Sequence, residues 1–420
     1  MICADCVKLD SLKLFINQNS KVDVCEFCKA SKKCVDKEQL YSYMEKQLFE
    51  ALTPTDDLSN FEQAMIYECG SDEPAVYTLF DFIQDADDIV DENVAEEFVN
   101  WLPVKYHTDE HGYEALYVFD DGTLECNDYA HEWEKFVKDI HHGRRFFNEK
   151  AKSFLDSLLS ILDQGDKLHT DVVEVIDCDA QLYRARIVSG KDQIEEVSND
   201  PAAQLGPVPE KLASNQRMTP AGISAMYCSL DRNTCLCELR TIVGDTAISG
   251  EFRPIKPLKL LNLSSLTSVS FVVGDYLSVD WRKHTHATEF FKEMVYKLSR
   301  PLGRQDELGY LSTQVFFEYL RVKYHKEVDG VQFTSVQTDG QGINIALFPE
   351  SSVIGNQDDV DQHSDTFPLD KQVPKLYYVD KSLVFHRIKA VKIDSHDENS
   401  SAPYVMDELT RKRLYPGTKI

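Results

Sequence analysis

The apolar positions in the first half of the chain recur at helical spacing. Tyr41, Met44, Leu48 and Leu52 fall on one helical face, and Thr53-Pro54 predicts its end. Phe136, Ile140, Phe147, Ala151, Phe154, Leu158 and Leu162 form a longer stripe, which predicts one helix closed near Gly165. After Gly165 the texture changes. Short runs rich in Val, Ile and Tyr predict strands at Gln181–Val188, Gly222–Leu230, Thr246–Phe252, Leu258–Leu263, Gly330–Ser335, Ile343–Phe348 and Leu383–Ile393. Helical patterns lie between them at Asp231–Thr241, Thr288–Leu302 and Gln314–Lys323, while Asn356–Asp370 and Ser395–Tyr404 are polar and read as loops. The fold class expected is α+β, with a helical part first and a mixed part second.

A chain of 420 residues implies two or three domains. The shifts in texture divide it into a cysteine-rich block at 1–36, an acidic helical domain at 37–175, an α+β domain at 176–395 and a tail at 396–420. The net charge of −26 repels phosphate backbones and anionic lipid, so neither nucleic acid nor membrane is an expected partner. A local basic pocket for a small anion remains compatible with it. Asp81, Asp85, Asp87, Asp88, Asp91, Glu92, Glu96 and Glu97 read as a solvated helix face rather than a cation site. The chain shows no secretory pattern at Met1-Ile2-Cys3 and no apolar run approaching the roughly 18 residues of a membrane span. A cytoplasmic setting with reduced thiols is expected, with Cys34, Cys69, Cys126, Cys178 and Cys228 as small buried hydrophobes.

Four other cysteines stand apart. Cys3 and Cys6 form one CxxC hook, and Cys25 and Cys28 form a second after 18 intervening residues. Two such hooks place four soft thiolates on two turns, a pattern that selects tetrahedral zinc. Four cysteines close the coordination shell, so the expected role is structural. Cys34 lies near enough in sequence to substitute, but the symmetric four are preferred.

Three separated segments carry candidate chemistry. Tyr183-Arg184-Ala185-Arg186 puts two arginines on one face of a strand. Arg217-Met218-Thr219-Pro220 leads through Gly222 to Tyr227, then to a helical stretch with Glu238. Asp329-Gly330-Val331-Gln332-Phe333-Thr334-Ser335 is followed by Gly342-Ile343-Asn344. Taken singly, Glu238 is a surface acid, Arg217 a solvated charge, Tyr227 a core residue and Ser335 a turn cap. Their order and spacing together raise the catalytic reading.

In that order the segments resemble the RES domain, over roughly residues 180 to 350. The family's arginine maps to Arg217, its tyrosine to Tyr227, its glutamate to Glu238 and its serine to Ser335, with Arg184 and Asn344 also fitting. Thr219 and Phe333 depart from the family's frequent Asn and Tyr. The N-terminal half is similar to the HEPN-like region that often precedes RES domains. Arg145 has no His four to six residues on, however, so no nuclease chemistry is assigned to it.

The resemblance implies a fold related to ADP-ribosyltransferases and cleavage of NAD at the nicotinamide–ribose bond, by glycohydrolysis or phosphorolysis. The residue types suit that reaction. Guanidinium groups at Arg217 and Arg184 match a diphosphate. Glu238 can stabilise an oxocarbenium-like ribose, and Ser335 can hold Glu238 or a ribose hydroxyl. Tyr227 can stack on nicotinamide or orient it. Arg186 and Arg240 stand evenly between site and salt bridge. The expected setting is a bacterial toxin or defence effector, with an antitoxin or regulatory partner and a homo-oligomer both compatible. Two rival readings are a protein ADP-ribosyltransferase using the same site, and a non-enzymatic protein whose zinc hooks and acidic helices recruit a partner.

Overall fold

The computed structural model describes residues 1–68, 74–83, 89–109, 111–165, 167–269, 271, 274–299, 308–338, 340–356 and 373–391. Cys69, Asp85, Asp87, Asp88, the polar stretch after Asn356, the end of the strand expected to reach Ile393, Ser395–Tyr404 and the tail at 396–420 lie outside them. So do the last residues of the helix expected to reach Leu302. The chain divides into two compact units. One comprises Met1–Asp139, Asp156–Ile161 and Ser270–Phe291, and the other comprises Ile140–Leu155, Leu162–Val269 and the described residues from Lys292 onward.

In the first unit, a three-stranded antiparallel sheet sets Ser31–Val35 between Ile2–Cys3 and Lys21–Val24. The helix Lys37–Ala51 begins at Asp36, whose carboxylate accepts from the backbone N–H groups of Glu38 and Gln39. Its stripe of Tyr41, Met44 and Leu48 is buried, and Leu52 opens a short strand, Leu52–Pro54, paired with Tyr117–Phe119. Tyr276, Leu277 and Trp281 join the same core. Asp275 accepts from Ser11 Oγ at 2.5 Å and from Ser11 N at 2.9 Å, and Leu277 O accepts from Tyr43 Oη at 2.8 Å.

A buried charge cluster sits beside this core. The Asp120 and His286 side chains are both fully buried, with Nε2 3.1 Å from Oδ1. Arg282 Nη1 lies 2.8 Å from the other Asp120 oxygen, and its Nε lies 3.1 Å from Asp128. Gly122 is required here: its φ is +83°, and a Cβ would stand 3.0 Å from Thr285 O and 3.1 Å from the His286 Cα.

The long helix expected through Leu162 is instead two, Asp128–His142 and Glu149–Leu159. Gly143 weakens the continuation, and Asn148 starts the second helix by accepting from Ala151 N at 3.0 Å. Between them Phe147 adopts φ 51° and stands 98% exposed, so it leaves the apolar stripe altogether. Gly165, expected to stop the helix, turns the chain between the short strands Asp163–Gln164 and Lys167–Leu168.

The second unit is built on a ten-stranded sheet. Its strands are β1 (Val173–Ile176), β2 (Leu182–Val188), β3 (Met226–Ser229), β4 (Thr246–Pro254), β5 (Leu258–Asn262), β6 (Gly330–Thr334), β7 (Ile343–Leu347), β8 (Ile354–Gly355), β9 (Leu376–Tyr378) and β10 (Val384–Arg387). The spatial order is β8-β9-β4-β2-β3-β7-β6-β5-β1, with β10 also on β4. The β5–β6 and β8–β9 pairs are parallel and the others antiparallel, an α+β arrangement. One face buries Leu182, Met226, Cys228, Ile248, Phe252, Ile345 and Leu347. The expected helix from Asp231 is shorter, α1 (Arg232–Glu238), and α2 (Leu311–Tyr324) packs Phe316, Phe317 and Leu320 inward. Among the described residues no helix is long and apolar enough to cross a membrane.

Candidate functional site

The four hook cysteines converge in the first unit. Cys3 Sγ lies 3.8 Å from Cys6 Sγ and 3.5 Å from Cys28 Sγ, and Cys6 Sγ lies 3.8 Å from Cys25 Sγ. All four sulfurs fall within 4.8 Å of one another. Tetrahedral thiolates about 2.3 Å from a zinc ion are about 3.8 Å apart, so the spacing fits a metal ion of that size. Burial pushes the Cys25 thiol up, but backbone N–H groups of Cys28 and Phe27 outweigh it and bring it down to about 6. Cys34 is not part of the group and gives its thiol to Asp23 O at 3.6 Å.

The second unit holds a cleft of about 400 Å³, lined by Arg184, Arg217, Tyr227, Glu238 and Asn344 among others. The register explains why Tyr227 and Asn344 meet. Ser229 on β3 lies opposite both Tyr183 on β2 and Asn344 on β7, and Asn344 lies opposite Phe333 on β6. Tyr227 is two residues before Ser229 and shares its face. Asp231 then caps α1, accepting from Thr234 N at 2.8 Å, and this one short helix delivers Glu238 to the same side.

Glu238 is held by two donors on one oxygen. Ser335 Oγ donates to Oε1 at 2.5 Å, and Asn344 Nδ2 donates to the same atom at 2.8 Å. Asn344 is in turn oriented by Ser229 Oγ, which donates to its Oδ1 at 2.7 Å. Ser335 is fully buried and stands behind the cleft wall. Oε2 has no hydrogen-bond partner among the described residues, so one carboxylate oxygen is fixed by protein and the other is available at the cleft.

Two arginines face this carboxylate's cleft with no acidic partner among the described residues. Arg184 Nη1 reaches only the Met226 sulfur, at 3.4 Å, and burial lowers its pKa from the ordinary value. Arg217 lies over the Phe333 ring, 5.7 Å from its centroid. Arg240 also lines the cleft at its rim, with φ 49° just beyond α1. Arg186, on the same strand as Arg184, is not a lining residue and donates to Gln204 Oε1 at 2.7 Å.

Tyr227 does something its sequence position did not reveal. Its hydroxyl accepts from Met218 N at 3.1 Å and exchanges a hydrogen bond with Thr219 Oγ1 at 3.1 Å, so it pins the turn that carries Arg217. Thr219, a departure from the family pattern, thereby supplies a polar partner in the same turn. Ser229 and Gln314 are further polar residues of the site that sequence reasoning missed. Ser229 was detectable in principle, as a polar residue alternating with Tyr227 on one strand face. Gln314 offered no such signal.

A family model described as RES domain matches residues 181–370, a span that contains every residue of the cleft named above. This part of the chain is a RES domain. No curated protein and no solved structure gives a match. RES domains act on NAD, and the RES domain here presents a hydrogen-bonded carboxylate and guanidinium groups with no acidic partner among the described residues in one cleft.

Proposed function

We propose that the RES cleft binds NAD and breaks its nicotinamide–ribose bond. The observation that carries this reading is the asymmetric Glu238 carboxylate, tied by Ser335 and Asn344 through Oε1, in a cleft where Arg184 and Arg217 have no acidic partner among the described residues. A volume of about 400 Å³ is within the ordinary range for a small-molecule site. Arg217 and Arg184 neutralise the diphosphate. As the C1′–N bond breaks, its electron pair moves onto nicotinamide, which departs neutral, and positive charge spreads over C1′ and the ring oxygen. The free Glu238 oxygen stabilises that charge without reorganising, because Ser335 and Asn344 already fix the carboxylate. An incoming nucleophile, water or phosphate, then takes C1′. In the first unit, we propose that Cys3, Cys6, Cys25 and Cys28 hold a structural zinc ion.

The test is product analysis of NAD incubated with the full chain, with and without phosphate and with an added protein acceptor. Nicotinamide release is expected, and Glu238→Gln should slow it by at least about 100-fold, the scale for losing a preorganised electrostatic group. Intact NAD would overturn the proposal. Label appearing on the protein acceptor would reassign the reaction to ADP-ribose transfer. Draining NAD would arrest growth, so expression of the wild-type chain, but not of Glu238→Gln, is expected to be toxic.

A further inference from the structure

We propose that Gln314 is a positioning residue of the RES site: its amide, reaching from α2, sets the turn that carries Arg217 and thereby the affinity for the substrate's diphosphate. This rests on the NAD reading above. The turn between Ala213 and Gly222 belongs to no strand and is closed on itself, by Gly222 N donating to Ala213 O at 3.0 Å and Gln216 N donating to Thr219 O at 2.9 Å. Gly222 takes φ +87°, which lets the chain turn there. Such a turn has little to fix its direction. Two side chains from outside it supply the anchors. Tyr227 holds residues 218 and 219 from the sheet. From the helix, Gln314 Nε2 donates to Asn215 Oδ1 at 2.7 Å and to Gln216 O at 2.8 Å, with Thr219 O 3.4 Å away. Arg217 is the residue between the two anchors.

Gln314 is 6% exposed and is not part of the cleft wall, so it acts through the turn. Its neighbours on α2 that point inward are Phe316, Phe317 and Leu320. A buried amide in such company needs partners. Both of its N–H groups are committed to the arginine turn. A flexible arginine binds an anion well only when its backbone is placed in advance, because less freedom is then lost on binding. Substrate binding felt equally in ground and transition states appears in KM and leaves kcat alone.

The experiment compares wild type, Gln314→Leu and Asn215→Ala in two assays, both on the full chain. In NAD turnover, Gln314→Leu should raise KM about tenfold, the size of one lost hydrogen bond, with kcat within about twofold. In hydrogen exchange, amides of residues 214–222 should exchange at least about tenfold faster, while those of β3 and β7 stay as in wild type. Asn215→Ala removes one acceptor from the exposed end and should move both readouts the same way by less; it carries the test if Gln314→Leu fails to fold. Unchanged exchange at 214–222 would overturn the proposal, as would a fall in kcat at unchanged KM. If wild type leaves NAD intact, the NAD reading fails and the clamp is judged on exchange alone.

Discussion

Replacing Ser335 by alanine isolates the bond that aims the candidate catalytic carboxylate. The Ser335 hydroxyl is fully buried and donates to Glu238 Oε1 at 2.5 Å. Its backbone remains held in the variant, because Ser335 N donates to Gly342 O at 2.8 Å and Ser335 O accepts from Thr338 Oγ1 at 3.2 Å. A hydrogen bond to a charged group is worth about 1.5–3 kcal/mol. Expressed wholly in the transition state, that is about 10- to 150-fold in rate, at about 1.36 kcal/mol per tenfold. Asn344 still holds the same oxygen at 2.8 Å, which favours the lower half of that range, about 10- to 30-fold. Steady-state NAD consumption should show this loss in kcat with KM nearly unchanged. In a Glu238→Gln background, Ser335→Ala should cost almost nothing more, because the two residues act as a unit. A kcat within twofold of wild type, or equal losses in both backgrounds, would refute the reasoning.

Two further predictions concern the first unit. Elemental analysis of freshly prepared, reduced protein should find about one zinc per chain, and Cys6→Ser or a chelator should lower the melting temperature; a metal content near zero would remove the site. Stability of this unit should also depend on pH in both directions. Burial lowers the His286 pKa, but its bonds to Asp120 and Asp128 outweigh that and raise it above 6.5, so its contribution is full below 6.5 and lost as pH rises through the raised value. Asp128, held by its hydrogen bond from His286 at about 2 against an ordinary 3.8, contributes above 3.8 and loses that contribution as pH falls toward 2. The melting temperature should therefore be highest between about pH 4 and 6.5. His286→Gln should lower it and flatten the alkaline decline, and an alkaline decline that survives the substitution would count against this account.

The residues that meet at the RES cleft could be picked out in the sequence because each sits in a short segment with its own signature. Arg217 precedes a Pro-Gly turn, Glu238 follows a capped helix start, and Ser335 and Asn344 flank one hairpin. What spacing could not give is the register. Only the pairing of Ser229 with Asn344 shows that one hydroxyl orients the amide that orients the carboxylate. Gln314 was invisible for a similar reason, since a glutamine in an apolar helix carries no mark of the turn it will meet 95 or more residues back in the chain. The broken helix at Gly143 was misread because Phe147 happened to fall in phase with the apolar stripe. Periodicity records where a side chain would point if the helix continued, and here it does not.

The segment Ser270–Phe291 has a consequence for synthesis. It completes the core of the first unit with Tyr276, Leu277 and Trp281, yet in the chain it lies between β5 and β6 of the RES sheet. As the chain leaves the ribosome, β1 to β5 emerge before this segment, and β6 and β7, which bring Ser335 and Asn344, emerge after it. The N-terminal unit cannot close its core until Phe291 is out, and the Glu238 carboxylate cannot be held until Asn344 follows. Domains usually fold in order as they are made. Here the first unit is not whole until a segment inserted in the RES sheet has been released, and the RES cleft is assembled later still.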